Sequence, residues 1–459
     1  MPRRIAALVA EHAERASSDA ALVEGRTGHT ITWGALAGLV AGWTGRSDIA
    51  GRAVLLRQER PLEFITAYLG LLAAGAVVFP MAPDAPEADV AAAVDGFDIG
   101  GPAPVGWAEP GTVVLRTSGT TGAPKGVPLG EARLLHAAGL VARHHRFSPV
   151  DTVYSPLPLF HINAQVVGVL AALVSGATLA VDDRFHRTGF WDVMDRCGVT
   201  VLNAVPAILA ILAQEPPPPP AVAARIRFAR SASAPLPPAT LRRFEEHCGI
   251  GVLETYGMTE AAGQICANPL DPAARRPGSV GQPVGLEVRL IGDDGPPLAA
   301  GAAGLVEILG PTVVDHYLVP GAPPSRAPAA GAGGWFRTDD VGYRDDEGFL
   351  YLLGRIDGVI NRGGEKVYPR VVEEVLRGHP GVAEAAVVGV PDPVLGEVPV
   401  AFVVPRDGTP AHLATQLLQL CERELSRHQR PARIHLADSL PFTPTGKVRR
   451  DALRELATS

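Results

Sequence analysis

The sequence predicts an α/β protein whose larger, N-terminal part is mostly parallel and is followed by a smaller α+β unit. Three observations lead there. Short apolar strands alternate with amphipathic helical stretches up to about residue 285, the pattern of strands joined by crossover helices. Beyond residue 285 the apolar runs become shorter and more closely spaced. From about residue 357 there remains a set of helices and strands of ordinary size for an independent domain. The 459 residues suit two or three domains at ~150 residues each. A composition of 47% hydrophobic and 19% charged residues is that of a globular chain with ample core.

Residues 112–115 (TVVL), 200–203 (TVLN) and 251–254 (GVLE) read as buried strands that end in loops. Residues 286–291 (LEVRLI), 304–309 (GLVEIL) and 349–353 (FLYLL) read as shorter strands of a small barrel or an antiparallel sheet. In the last unit the pattern gives a helix at 370–376, strands at 385–390 and 398–404, a helix at 413–425 and a strand at 433–436. Residues 215–220 (EPPPPP) and 320–334 (PGAPPSRAPAAGAGG) read as connectors without regular structure, because proline removes a donor and glycine loosens the chain. The apolar stretch 166–181 is shorter than a ~20-residue membrane span and contains Ser175 and Gly176, so a buried core segment is expected. No internal repeat is visible.

A net charge of −7 argues against a generic nucleic-acid partner. Cys197, Cys248, Cys266 and Cys421 lie far apart with no metal-like spacing, which fits reduced thiols in a cytoplasmic protein. Glu11 interrupts the apolar run near the start, so that segment does not read as a signal peptide.

Three of the 41 basic residues are lysines: Lys125, Lys366 and Lys447. Each sits in a compact motif: 117–127 (TSGTTGAPKGV), 361–370 (NRGGEKVYPR) and 443–448 (TPTGKV). Lysine supplies a compact, mobile point charge that arginine does not, so these three are candidates for chemistry on anions. Thr117, Ser118, Gly119, Thr120, Thr121 and Gly122 precede Lys125 directly after a predicted strand. Glycines let backbone N–H groups turn inward, hydroxyls add donors, and such a loop can wrap a polyphosphate. The spacing is not that of a Walker A loop.

That loop resembles the phosphate loop of the adenylate-forming superfamily, which includes acyl-CoA synthetases, peptide-synthetase adenylation domains and luciferases. The resemblance continues in the family's order through 31–36 (ITWGAL), 71–83 (LLAAGAVVFPMAP), 157–161 (LPLFH), 254–260 (ETYGMTE), 334–340 (GWFRTDD), 354–360 (GRIDGVI), 363–366 (GGEK) and 444–447 (PTGK). It implies an N-terminal domain, 1–355, of two doubly wound α/β subdomains plus a small β-barrel-like part. A small mobile α+β lid, 356–459, would follow, hinged at Asp357. Only 32 residues separate Asp84 from Thr117, so the first subdomain reads as trimmed there.

The implied reaction joins two anions, a carboxylate and the α-phosphate of ATP, and so needs positive charge in a shielded site. By resemblance Lys447 supplies that charge, Thr259 touches the α-phosphate, and Glu260, with Thr120, helps hold Mg²⁺. Asp340 and Arg355 would hold the ribose and a neighbouring phosphate. Ser233, Ala234, Pro235, Glu254, Thr255, Tyr256, Gly257 and Met258 would line the adenine and acyl pockets. Gly363, Gly364 and Lys366 would swing in for the thiol-transfer step. Where the family usually reads Thr-Gly-Asp, this chain has Thr338-Asp339-Asp340, which places an extra carboxylate beside the nucleotide.

His161 stands after Phe160 where amino-acid-activating relatives carry an aspartate for the substrate ammonium. An α-amino acid is therefore not expected, and the apolar residues 166–173 suggest an aliphatic, aryl or terpenoid-like acid. The implied activity is acid + ATP → acyl-AMP + pyrophosphate, followed by acyl transfer to coenzyme A. A stand-alone ligase loading a carrier protein, or a non-catalytic nucleotide-binding protein, remains the alternative. The expected partners are a small carboxylic acid and CoA or an acyl carrier protein, with no nucleic acid and no membrane span, for a monomer or homodimer.

Overall fold

The computed structural model describes residues 4–101, 108–117, 125–292, 295–321, 325–406, 412–442 and 448–458. The backbone separates into two compact units: Met1–Pro235, Arg243–Val288 and Ile308–Phe336 in the first, and Leu236–Arg242, Arg289–Glu307 and Arg337–Ser459 in the second.

Two sheets organise the first unit. In the nine-stranded sheet, Ala20–Glu24, Thr178–Val181, Thr152–Ser155, Val201–Ala204, Phe228–Ser231 and Val252–Met258 run parallel in that spatial order. These strands are near-continuous apolar runs, as expected for strands covered on both faces. Antiparallel strands finish both edges: Thr30–Thr32 at one, Gly263–Ala267 and Gln282–Pro283 at the other. In the six-stranded sheet Ala53–Leu56, Val77–Pro80 and Thr112–Thr117 are parallel. Lys125–Gly130, His316–Val319 and Ser325–Pro328 then continue it antiparallel.

Residues 320–334 thus depart from expectation. Four of these fifteen residues, Ser325–Pro328, form a strand against His316–Val319. An outermost strand has one row of backbone donors without a partner, and Pro328 is tolerated there. At the other connector, helix Pro220–Arg225 begins on the last proline of 215–220, the first-turn position where a missing N–H costs nothing.

The expected buried segment begins as a π-helix, Asn163–Leu170, every residue of which is buried. Helix Ala171–Ser175 and strand Thr178–Val181 complete it, with Gly176 at φ 74° between them.

In the second unit, Val382–Asp392 pairs antiparallel with Gly396–Pro405, which also pairs parallel with Arg433–Leu436. Ala385, Val387, Ala401 and Val403 pack with Val372, Leu376, Leu413, Leu417 and Cys421 from the helices Pro369–Arg377 and Leu413–Glu424. The intervening Ala386, Val388, Val390, Val400 and Phe402 pack with Leu453 and Ala457 of helix Arg450–Thr458. The two-residue period of a strand, covered on both faces, explains why 385–390 reads as unbroken apolar sequence. Strands Glu287–Ile291, Gly304–Leu309, Phe336–Arg344 and Leu350–Arg355 form a four-stranded sheet. No described helix is long and apolar enough to cross a membrane.

Candidate active site

In open parallel sheets, ligands bind beyond the carboxyl ends of the strands. The sequence-predicted residues of the first unit lie there. Thr117 ends one strand, Lys125 opens the next, and the two are direct antiparallel partners. They close the hairpin expected to bind phosphate, whose residues Ser118, Gly119, Thr120, Thr121 and Gly122 lie outside the described residues.

Lys125 Nζ lies 5.2 Å from the centre of the Tyr317 ring, a cation–π contact. The Tyr317 hydroxyl donates to Glu260 Oε1 at 3.2 Å. Glu260 is buried in the short 3-10 turn Thr259–Ala261, and its carbonyl accepts from Val314 N at 2.8 Å. Tyr317 therefore links the loop lysine to the expected metal carboxylate. No motif flagged it, because the contact joins residues 125, 260 and 317, which are far apart in sequence.

Glu254, Thr255, Tyr256, Gly257 and Met258 all belong to strand Val252–Met258. The buried Glu254 carboxylate accepts from Gly278 N at 3.0 Å. Thr255 Oγ1 donates to Ser231 O at 3.4 Å. At Gly257 an added Cβ would stand 1.9 Å from the carbonyl oxygen of Gly263, so only glycine fits this hairpin.

Ser233, Ala234 and Pro235 follow strand Phe228–Ser231, with Ser233 at φ 70°. Asn163 Nδ2 donates to Ser233 Oγ at 3.1 Å and so ties this loop to the segment that carries His161. His161 is exposed, its ring 4.5 Å from that of Phe160 and tilted by 51°.

In the second unit Asp340 and Arg355 are direct antiparallel partners, with Arg355 Nη1 3.7 Å from Asp340 Oδ1. Arg355 Nη1 also donates to Thr338 O at 3.3 Å, while Arg355 Nη2 lies 3.5 Å from Asp339 Oδ2. Asp339 has φ 60°, the left-handed conformation that glycine adopts freely and aspartate tolerates. The substitution in Thr-Gly-Asp thus keeps the backbone turn, and the extra carboxylate faces a guanidinium.

Asp357 sits in the exposed turn Ile356–Gly358, 3.8 Å from Arg355 Nε. Gly363 and Gly364, at φ 61° and 89°, form the two-residue turn between Ile360–Arg362 and Glu365–Val367, which carries the exposed Lys366. Asn361 Oδ1 accepts from Gly364 N at 3.0 Å and braces that turn. Lys447 lies outside the described residues. Its flanks are fixed: Phe442 bridges to Val448, and Arg449 N donates to Pro441 O at 2.8 Å.

Comparison with known proteins identifies the family. Residues 104–318 match the AMP-binding enzyme family and residues 371–447 the AMP-binding enzyme C-terminal domain. A sulfoacetate–CoA ligase of Cupriavidus necator is 38% identical, over 97% of this chain and 96% of that protein. An oxalate–CoA ligase of Arabidopsis thaliana is 39% identical, over 74% of this chain and 66% of its own length. The ATP-bound structure of MatB from Rhodopseudomonas palustris superposes with TM-score 0.86 at 27% identity, covering 99% of each chain. The chain belongs to the AMP-binding enzyme family. It is an AMP-forming acid–thiol ligase of the acyl-CoA synthetase class, activating a carboxylate with ATP and passing the acyl group to CoA.

Proposed function

We propose that the activated substrate is a small carboxylic acid other than an α-amino acid. The observation that carries the ATP site is the Lys125–Tyr317–Glu260 chain at the mouth of the phosphate-loop hairpin. It sets a cation and a carboxylate on either side of one tyrosine, as a bound polyphosphate and its cation require. In this assignment Ser118, Gly119, Thr120, Thr121 and Gly122 wrap the phosphates, and Thr259 contacts the α-phosphate.

Glu260 suits Mg²⁺, a hard cation that keeps several waters and takes few carboxylates. A cation there would be held by the Glu260 carboxylate, the Thr120 hydroxyl, water and phosphate oxygens. Bound there, Mg²⁺ would neutralise phosphate charge.

Asp340 accepts the ribose hydroxyls, and Arg355 is poised for a phosphate. Ser233, Ala234 and Pro235, with residues 254–258, line the adenine and acyl pockets, and His161 gates the acyl side. Lys447 offsets the repulsion between carboxylate and α-phosphate. The domain assignment is 1–355 and 356–459, with Asp357 as the hinge about which the smaller part turns between adenylation and thiolation. The Gly363–Gly364 turn then serves the thiol step.

The test is to incubate the protein with ATP, Mg²⁺, CoA and a panel of acids and to follow products by mass spectrometry. Acyl-CoA is the expected product. Acyl-AMP accumulating without acyl-CoA would move the acceptor to a carrier protein, and no acyl-AMP with any acid would remove the catalytic assignment.

A further inference from the structure

Strand Phe228–Ser231 carries a charge into the interior. Arg230 is 3% exposed. By strand alternation it shares a side with Phe228, whose ring meets His145 edge-on. Its Nη1 donates to Asn163 Oδ1 at 3.0 Å and to Asn203 Oδ1 at 3.1 Å. Its Nε is buried without a hydrogen-bond partner, and no carboxylate among the described residues pairs with it. Burial pushes the guanidinium down to about 9, which leaves it charged at neutral pH. Two amide oxygens offer partial charges, not a counter-ion, and a buried cation without an anion is costly.

The position of Arg230 gives that cost a use. It stands one residue before the carboxyl end of its strand. Asn203 lies one residue before the end of the neighbouring strand, level with Arg230, and donates to Ser155 Oγ, at the end of the next, at 3.2 Å. Asn163 joins Arg230 to Ser233 through one amide and lies two residues beyond His161. The Asn-bound nitrogen is Nη1, so the edge formed by Nε and Nη2 has no partner among the described residues. That edge matches the two oxygens of a carboxylate or sulfonate.

We propose that Arg230 receives a second anionic group of the acid substrate, so that the preferred acid is short and carries a carboxylate or sulfonate besides the carboxylate that is adenylated. Short, because only the Asn163 amide separates the guanidinium from the Ser233 loop. The proposal rests on the assignment of this loop to the acyl side of an acyl-CoA synthetase. It names a charged acid where the apolar residues 166–173 suggested an aliphatic, aryl or terpenoid-like one.

The experiment compares kcat/KM in acid-dependent ATP–pyrophosphate exchange for malonate and sulfoacetate against propionate and butyrate. The wild-type protein is expected to prefer the doubly charged acids by about 100-fold, the scale of a buried charge pair. Arg230→Met should collapse that ratio toward unity, and Arg230→Lys should leave it between the two. Malonate against sulfoacetate then identifies the second group as carboxylate or sulfonate. A wild-type ratio at or below one overturns the proposal even if no variant folds. So does a ratio that Arg230→Met leaves unchanged while activity on all four acids and thermal stability fall together, the signature of a structural arginine. Exchange with other acids but none of these four overturns the proposal and leaves the synthetase assignment standing. Exchange with no acid at all removes both.

Discussion

Tyr317 donates its hydroxyl to Glu260 and lays its ring beneath Lys125. One side chain thus holds a carboxylate and a cation that stand 135 residues apart in the chain. The two contacts separate by substitution. Tyr317→Phe keeps the ring and loses a hydrogen bond to a charged acceptor, worth roughly a tenfold fall in pyrophosphate exchange. Tyr317→Ala removes both contacts and should fall further, with a raised KM for ATP. Equal activity in wild type and Tyr317→Ala would remove Tyr317 from the nucleotide site.

Asp339 tests the reading of its own backbone. At φ 60° glycine is free of strain, so Asp339→Gly should stay within about 1 kcal/mol of wild type in stability. Its KM for ATP should move less than about fivefold, as for the loss of an exposed ion pair. Asp339→Val forces a β-branched side chain into the left-handed region and should cost about 1–3 kcal/mol. Urea denaturation of the three proteins checks the order. A destabilised glycine variant would contradict it.

Glu373 anchors the segment that follows Lys447. It is 3% exposed, accepts from Val387 N at 2.9 Å and pairs with Arg450 Nη2 at 2.7 Å and Arg377 Nη2 at 3.4 Å. Glu373 is the buried member of this cluster, while Arg450 and Arg377 are partly exposed and also donate to the carbonyls of Val387 and Ala385. Glu373→Ala should therefore cost about 1–3 kcal/mol, the scale of losing hydrogen bonds to a charged acceptor, measured as a lower Tm. A Tm equal to that of wild type would show that Arg450 is held by something else.

Gly364 points its missing side chain into open space at φ 89°. Gly364→Leu should raise the ratio of acyl-AMP to acyl-CoA, because bulk and strain fall on the turn assigned to the thiol step. An unchanged ratio by mass spectrometry would take that turn out of the second half-reaction.

Much of this architecture was legible because it is local. The strands at 112–115, 251–254, 385–390 and 398–404 are short apolar runs, and the structure places them at Thr112–Thr117, Val252–Met258 (without Gly251), Val382–Asp392 and Gly396–Pro405. The glycines at 257 and 363–364 were legible as motif members, with their steric reasons visible only in the fold. Strand Ser325–Pro328 was not, because its pairing with His316–Val319 outweighs a composition that favours coil. Tyr317, Arg230 and Glu373 were also missed. Each matters through partners far away in sequence: Glu260 for the first, Asn163 for the second, Arg450 for the third. Arg230 left little local sign, because 226–232 (IRFARSA) holds two arginines and only the fold shows that Arg230 is the buried one.

Lys447 is the residue on which the adenylation chemistry is made to depend. The direct measurement is ATP–pyrophosphate exchange by Lys447→Ala with the best acid of the panel, alongside its Tm. A fall of at least about 100-fold, the scale of a lost electrostatic stabiliser of the transition state, with Tm unchanged, is expected. Exchange at the wild-type rate would contradict it.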